Sequence, residues 1–164
     1  MNKLNETTLS LTLLNGIIDP HDYAEFLKAQ YQIFYTIENK FGLPATDMFR
    51  ADLVLDDLAE IGVENLQSDL LSVLGYVNYL KTLEWEAVIA HIIVNYKFLT
   101  ESGQTIRHRV PGHGRMYDFD SPKTLEWIKK IIQNLEYDEY SDEVNYAVEC
   151  VTAIHNEIIK AYTV

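Results

Sequence analysis

The sequence has little cysteine and few basic residues, and each shortage excludes a class of protein. Cys150 is the single cysteine among 164 residues, which excludes an internal disulfide. Only 13 lysines and arginines stand against 25 aspartates and glutamates, giving a formal net charge of −12. That charge repels phosphate backbones and gains no counterion release, so nucleic acid is excluded as a partner class. It would attract a basic protein surface or a cationic ligand, although its more ordinary explanation is solubility.

The sequence also lacks a long apolar run and a secretion signal. The most apolar stretch, 88–99, is shorter than the roughly 18 residues of a membrane-spanning helix and contains His91, Asn95 and Lys97. The first residues show no basic segment followed by an apolar run and a small-residue cleavage site. Together with the lone thiol, these absences predict a soluble, cytoplasmic protein that does not bind membranes.

What the sequence does contain is apolar residues at helical spacing. Asp19-Pro20 and Ser121-Pro122 each combine a side-chain acceptor at the N-cap with a proline in the first turn, which predicts two helix starts. The apolar stripe over 88–99 is wide enough to predict a buried central helix that ends near 101–103. Apolar faces with helical spacing also occur at 4–14, 23–41, 54–61, 70–77, 125–135 and 144–162.

No segment alternates apolar and polar residues over a strand length, and residues 107–119 contain the proline and glycines of a loop. The pattern therefore predicts an all-α fold, a single domain over 1–164 with six or seven helices in one bundle.

Residues 90–104 carry the most specific motif. They read Ala-His-Ile-Ile-Val-Asn-Tyr-Lys-Phe-Leu-Thr-Glu-Ser-Gly-Gln. This segment resembles the distal-helix motif of the heme oxygenase family, Ala-His-x-Tyr-x-Arg-Tyr-Leu-Gly-Asp-Leu-Ser-Gly-Gly-Gln. The pattern of residue types is also similar to that family at 13–16, 23–38 and 117–119. The resemblance covers nearly the whole chain and implies a heme oxygenase-like helical bundle.

The departures from the family motif fall on the residues that handle haem. The family's proximal histidine on the first helix would correspond to Met1, and no histidine precedes His21. The glycine that kinks the distal helix is replaced by Phe98, and the aspartate that organises water is replaced by Leu99. A phenylalanine fills the space that a glycine would leave for a ligand. Without an axial donor, a haem iron is poorly anchored and its oxygen chemistry is not set.

Three residues preserve a haem-binding alternative. Gly103 retains one of the family's two glycines, whereas Ser102 replaces the other. Lys129 approximately matches the arginine that contacts a haem propionate. His91 is a candidate iron ligand, although a histidine in an apolar stripe is more often a core residue with a hydrogen-bonded partner.

One basic segment stands out in this acidic chain and is a candidate partner-binding loop. It is a loop that could dock an anionic ligand or an acidic surface, or could simply be solvated. Its basic residues are Arg107, His108, Arg109, His113 and Arg115. The acidic, tyrosine-rich segment 136–143 has the same two interpretations, with a basic partner in place of an acidic one.

Two catalytic alternatives on similar architectures are not favoured. A di-iron site that includes Glu84, Glu86 and His91 would need carboxylates and histidines repeated on several helices, and the chain has no Glu-x-x-His. A catalytic role for Cys150 is disfavoured because the adjacent Glu149 raises a thiol pKa. We expect no metal site.

Two hypotheses remain. In the first, which we favour, the heme oxygenase fold serves as a scaffold, with no cofactor, for a non-catalytic protein that binds or assembles another protein. In the second, the chain binds haem or a linear tetrapyrrole, or forms biliverdin as a heme oxygenase-type oxidoreductase, with His91 or His21 as a non-standard iron ligand.

Overall fold

The described part of the protein is built from α-helices. The computed structural model describes residues 2–40, 43, 46–119, 121–135 and 141–160, and these residues contain no β-strand. The prediction of an all-α fold is confirmed. The helices are α1 (Asn2–Asn5), α2 (Thr8–Leu14), α3 (Pro20–Lys40), α4 (Ala51–Glu60), α5 (Leu71–Thr82), α6 (Trp85–Thr100), α7 (Ser102–Ile106), α8 (Pro122–Leu135) and α9 (Ser141–Lys160).

Both proline-marked helix starts are confirmed. The Asp19 carboxylate accepts a hydrogen bond from the His21 backbone N–H at 2.8 Å, one residue into α3. The Ser121 hydroxyl accepts one from the Thr124 N–H at 3.2 Å, at the start of α8. In each case the side chain satisfies one of the N–H groups that a helix leaves unpaired at its first turn.

Helix α6 is the centre of the bundle, as its wide apolar stripe predicts. Twelve of its sixteen residues are buried. It packs against α8 and α9, while α3 packs against α4, α5 and α9. Burial of each large aliphatic or aromatic side chain stabilises the fold by about 1.5–3 kcal/mol, so this helix dominates the core.

The first helix differs from the single segment that its apolar spacing predicts, because it is broken into α1 and α2. Thr7 lies at the break in an extended conformation, and its hydroxyl accepts a hydrogen bond from the Ser10 N–H at 3.1 Å. Threonine competes well for such N-cap positions, so α2 begins anew one residue later. The break turns α1 so that both short helices contact α9.

A second short helix follows α6. The chain turns at Glu101, and α7 continues directly to the predicted loop, in which Arg115–Tyr117 form a single 3-10 turn. Within the described ranges, no helix is both long and apolar enough to cross a membrane.

Candidate functional site

The end of α6 packs against two other aromatic rings at the position where the family motif has a glycine. Phe98 is only 5% exposed. Its ring centroid lies 6.5 Å from that of Phe26 on α3 and 6.0 Å from that of His155 on α9. Phe26 and His155 are 5.9 Å apart, and all three pairs meet edge-on. We call these three residues the aromatic cluster. It fills the interior beside the end of α6.

The sequence analysis does not single out His155, although histidine is a common residue in functional sites. It is 1% exposed, and its Nδ1 lies 2.9 Å from the Thr7 hydroxyl. Burial lowers the pKa of the imidazole to about 3, so the ring is neutral at physiological pH. The sequence feature that could have identified it is its spacing, because it lies four residues after Val151 on the apolar face of α9.

The first helices are fastened directly to the start of α7. The Ser102 hydroxyl donates a hydrogen bond to the Asn5 Oδ1 at 2.8 Å. Ser102 occupies the position of the first glycine in the family's glycine pair, so the substituted side chain forms a bond that a glycine could not form. Helices α2 and α7 are in contact along this junction.

Gly103 is retained for packing against an aromatic ring. A Cβ at this position would lie 2.8 Å from the Tyr117 Cδ1, closer than real side chains approach. The neighbouring Gln104 donates from its Nε2 to the Tyr117 carbonyl at 2.8 Å. The glycine therefore lets α7 approach the 3-10 turn. Leu99, at the position of the family's aspartate, is fully buried and offers no hydrogen bond.

His91 lies in a buried hydrogen-bonded network. Its Nδ1 is 2.7 Å from the Tyr76 hydroxyl and its Nε2 is 2.8 Å from Glu143 Oε1, which also accepts from the Tyr79 hydroxyl at 2.6 Å. Burial lowers the pKa of His91, although the Glu143 carboxylate opposes the shift. The neutral ring that suits this network carries its proton on Nε2. A metal could bind either nitrogen only by breaking one of these bonds.

The other residues considered for haem binding, Lys129 and His21, are not part of the aromatic cluster. The Lys129 ammonium lies 3.5 Å from Glu126, one turn earlier on α8. His21 is exposed in the first turn of α3. Among the described residues, no hydrogen bond or ion pair links His91, Gly103 and Lys129 to one another.

The candidate partner-binding loop, residues 107–119, is anchored to α4 and the residue before it. The buried Asp57 carboxylate accepts from the Arg115 and Met116 N–H groups, both at 2.8 Å. The buried Arg50 guanidinium donates to the Met116 carbonyl at 3.3 Å and to the Asp118 carbonyl, and lies 4.1 Å above the Phe119 ring. These contacts hold a segment that its glycines and proline would otherwise leave flexible.

Three of the five basic side chains in this loop bind other described residues. Arg107 pairs with Asp118 at 3.5 Å, and Arg109 donates to the Leu14 carbonyl. The His113 ring pairs with Glu60 at the end of α4. His108 and Arg115 are the two with exposed side chains that make no hydrogen bond or ion pair to another described residue.

The described residues contain one cysteine and no cluster of side chains that could bind a metal ion. No group of three or more histidine, cysteine, aspartate or glutamate side chains there could hold a metal ion. Burial raises the pKa of the Cys150 thiol, with Glu149 and Glu143 acting in the same direction. Of the acidic segment 136–143, positions 136–140 lie outside the described residues, and Ser141 to Glu143 form the first turn of α9.

Comparisons with known proteins find similarity in structure and none in sequence. No protein-family model matches the chain, and no curated protein matches it. Heme oxygenase-2 from Synechocystis sp. PCC 6803, solved with heme and NO, superposes with a TM-score of 0.81 at 21% identity, covering 95% of this chain and 79% of that one.

Two further solved structures agree with this result. Heme oxygenase-1 from Synechocystis sp. PCC6803, solved with heme, has a TM-score of 0.80 at 18% identity, covering 99% of this chain and 90% of that one. Heme oxygenase from Leptospira interrogans has a TM-score of 0.79 at 19% identity, with coverage of 95% and 92%. These superpositions cover at least 95% of the chain with TM-scores of 0.79–0.81, so the protein has the heme oxygenase fold.

Proposed function

We propose that this heme oxygenase-fold protein does not oxidise haem and acts instead as a non-catalytic binding or assembly protein for another protein. The observation that carries the proposal is the aromatic cluster, in which Phe98 packs against Phe26 and His155. The exposed side chains of His108 and Arg115 on the anchored loop offer a contact for an acidic partner surface. The lone, half-buried thiol of Cys150 suits a reducing cytoplasm, where we place the protein.

The described residues do not fit haem at the position that the family resemblance implies. That position lies between the first helix and the distal helix. A planar macrocycle there would have to displace the buried Phe98 ring. The loss of a buried phenylalanine's packing costs about 3–5 kcal/mol, which haem binding would have to offset.

One observation favours a second candidate, the binding of haem or a bilin after rearrangement. His155 lies within the aromatic cluster, beside the position of the family's kinking glycine. If Phe98 moved aside, this neutral imidazole would be a closer candidate ligand than His91, both of whose nitrogens are hydrogen-bonded. Its Nδ1 already contacts Thr7, so only Nε2 would serve.

An absorption titration of the purified protein with hemin tests the proposal. We expect no saturable one-to-one shift of the Soret band, and no biliverdin when a reductant and oxygen are added. Saturable one-to-one binding, or any biliverdin, would overturn the proposal in favour of the second candidate. The His91→Ala and His155→Leu variants would then identify the iron ligand, because loss of binding in one of them names the donor.

A further inference from the structure

A cleft outside the aromatic cluster lies between α3 and α5. Its volume is about 880 Å³, and the segment Glu64 to Gln67 forms part of its wall. Tyr35 and Leu74 line the two helical sides and are 51% and 44% exposed. The cleft is therefore an open groove. Small-molecule sites instead enclose most of their ligand's surface, so the shape favours a chain that passes along the groove.

One wall of the cleft is aromatic. Tyr31 and Tyr35 lie one turn apart on α3, with ring centroids separated by 5.7 Å and planes inclined by 33°. Their rings form adjacent faces on which flat apolar groups can pack. Tyrosine gives a large contact area while losing little side-chain freedom, which makes it frequent in protein recognition surfaces.

Polar side chains around the two tyrosines supply hydrogen-bond donors. The carboxamides of Gln32, Gln67 and Asn78 line the cleft and make no hydrogen bond to any described residue. Asn65 accepts from the Gln67 N–H through its Oδ1, which leaves its amide protons to donate. Lys81 adds a further donor, with no ion pair to a described residue. The cleft therefore has more side chains that can donate a hydrogen bond than side chains, such as carboxylates, that can only accept one.

We propose that this cleft binds a proline-rich segment of a partner protein in the polyproline II conformation. Proline has no backbone N–H, so such a segment presents carbonyl acceptors and flat pyrrolidine rings, which match amide donors and tyrosine faces. Grooves lined by aromatic side chains recognise this conformation because it is already ordered before binding. Tyr31 and Lys40 are about 13 Å apart along α3, a length of roughly four polyproline II residues.

The inference rests on the proposed function only in taking the ligand to be part of a protein. The aromatic cluster also includes a residue of α3, Phe26, but the cleft residues Tyr35 and Asn78 are not part of it, so the two proposals can fail separately.

Fluorescence anisotropy with labelled decaproline tests the inference. We expect saturable binding, weakened roughly tenfold or more by Tyr35→Ala and by Asn78→Ala. Trp127→Ala and Asn145→Ala are matched controls, since both side chains are exposed outside the cleft, and we expect them to bind like the wild type. Thermal unfolding followed by circular dichroism confirms that each variant is folded.

Three results would overturn the inference. The first is the absence of saturable binding up to millimolar peptide. The second is equal affinity of the wild type and both cleft variants, which would place the peptide elsewhere. The third is equal binding of a glycine-serine peptide of the same length, which would show that the polyproline II conformation is not recognised.

Discussion

A histidine in an apolar interior remains uncharged, and His155 shows what this means for stability. Burial lowers its folded-state pKa to about 3, whereas an unfolded chain has the ordinary value near 6.5. Below pH 6.5 the unfolded state binds a proton that the folded state does not, so the stability present above pH 6.5 is lost as the pH falls towards 3. The predicted slope is about 1.4 kcal/mol per pH unit.

Urea unfolding of the wild type and His155→Leu from pH 7.5 to pH 5 measures this slope. We expect the variant to lose less stability on acidification by about 1.4 kcal/mol per unit, while His91 leaves a residual slope in the same direction. His108→Leu is the matched control, since it replaces an exposed histidine on the loop in place of a buried one. If the variant does not fold, NMR of the wild-type ring replaces the comparison; titration of His155 near pH 6 would refute the argument.

The two buried histidines show what a sequence can predict about single residues. The motif around His91 draws attention to it, and a hydrogen-bonded core histidine is one of its two predicted roles. His155 follows no motif, and its partner Thr7 lies 148 positions earlier in the chain. Its role depends on which helices pack together, so spacing along α9 could predict its burial but not its contacts.

Among the elements, α4 holds the loop of residues 107–119 through one carboxylate. Asp57 accepts two backbone hydrogen bonds, and hydrogen bonds to charged groups contribute roughly 1.5–3 kcal/mol each. We expect Asp57→Ala to lower the free energy of unfolding by about 2–4 kcal/mol and to speed hydrogen exchange at the Arg115 and Met116 amides.

The neighbouring Asp56 provides the comparison, because it is exposed on the same helix and makes no hydrogen bond to a described residue. Asp56→Ala should change the unfolding free energy by less than about 0.5 kcal/mol. Equal exchange rates at Arg115 and Met116 in both variants would mean that other contacts, such as those of Arg50, suffice to anchor the loop.

The elements were largely predictable, and their connections less so. The prolines at 20 and 122 gave two helix starts because a proline at the first turn acts locally. The break at Thr7 was missed because Leu4 and Leu11 keep the helical spacing across it. The loop was predicted from Pro111 and its glycines, but its anchors come from side chains more than fifty positions away.

For the whole molecule, the fold persists although the residues that distinguish haem chemistry differ. Identity to the superposable heme oxygenases is only 18–21%, yet the helices superpose over at least 95% of the chain. Apolar faces at helical spacing and short connections are enough to specify such a bundle. The proposed loss of haem oxidation rests instead on a few positions, such as 98 and 102, where a glycine in the family motif is replaced by a side chain that packs or bonds here.

The net charge of −12 acts on the molecule as a whole and leads to a prediction about salt. Excess like charge destabilises a compact state through self-repulsion, and ion pairs that remain in contact with solvent, such as Arg107 with Asp118 and Lys129 with Glu126, offset little of it. Raising sodium chloride from about 0.01 M to 0.1 M shortens the screening length from roughly 30 Å to 10 Å. Screening should therefore weaken repulsion more than attraction, and the thermal unfolding midpoint should rise.

Glu149→Lys separates this electrostatic effect from other effects of salt. Glu149 is exposed on α9, and the substitution changes the net charge from −12 to −10 while leaving the buried surface of the helix unchanged. We expect a higher midpoint than the wild type at low salt and a smaller rise on adding salt, because less repulsion remains to be screened. A midpoint that falls with salt in the wild type would instead mean that ion pairs, and not the excess of carboxylates, dominate the electrostatics of this fold.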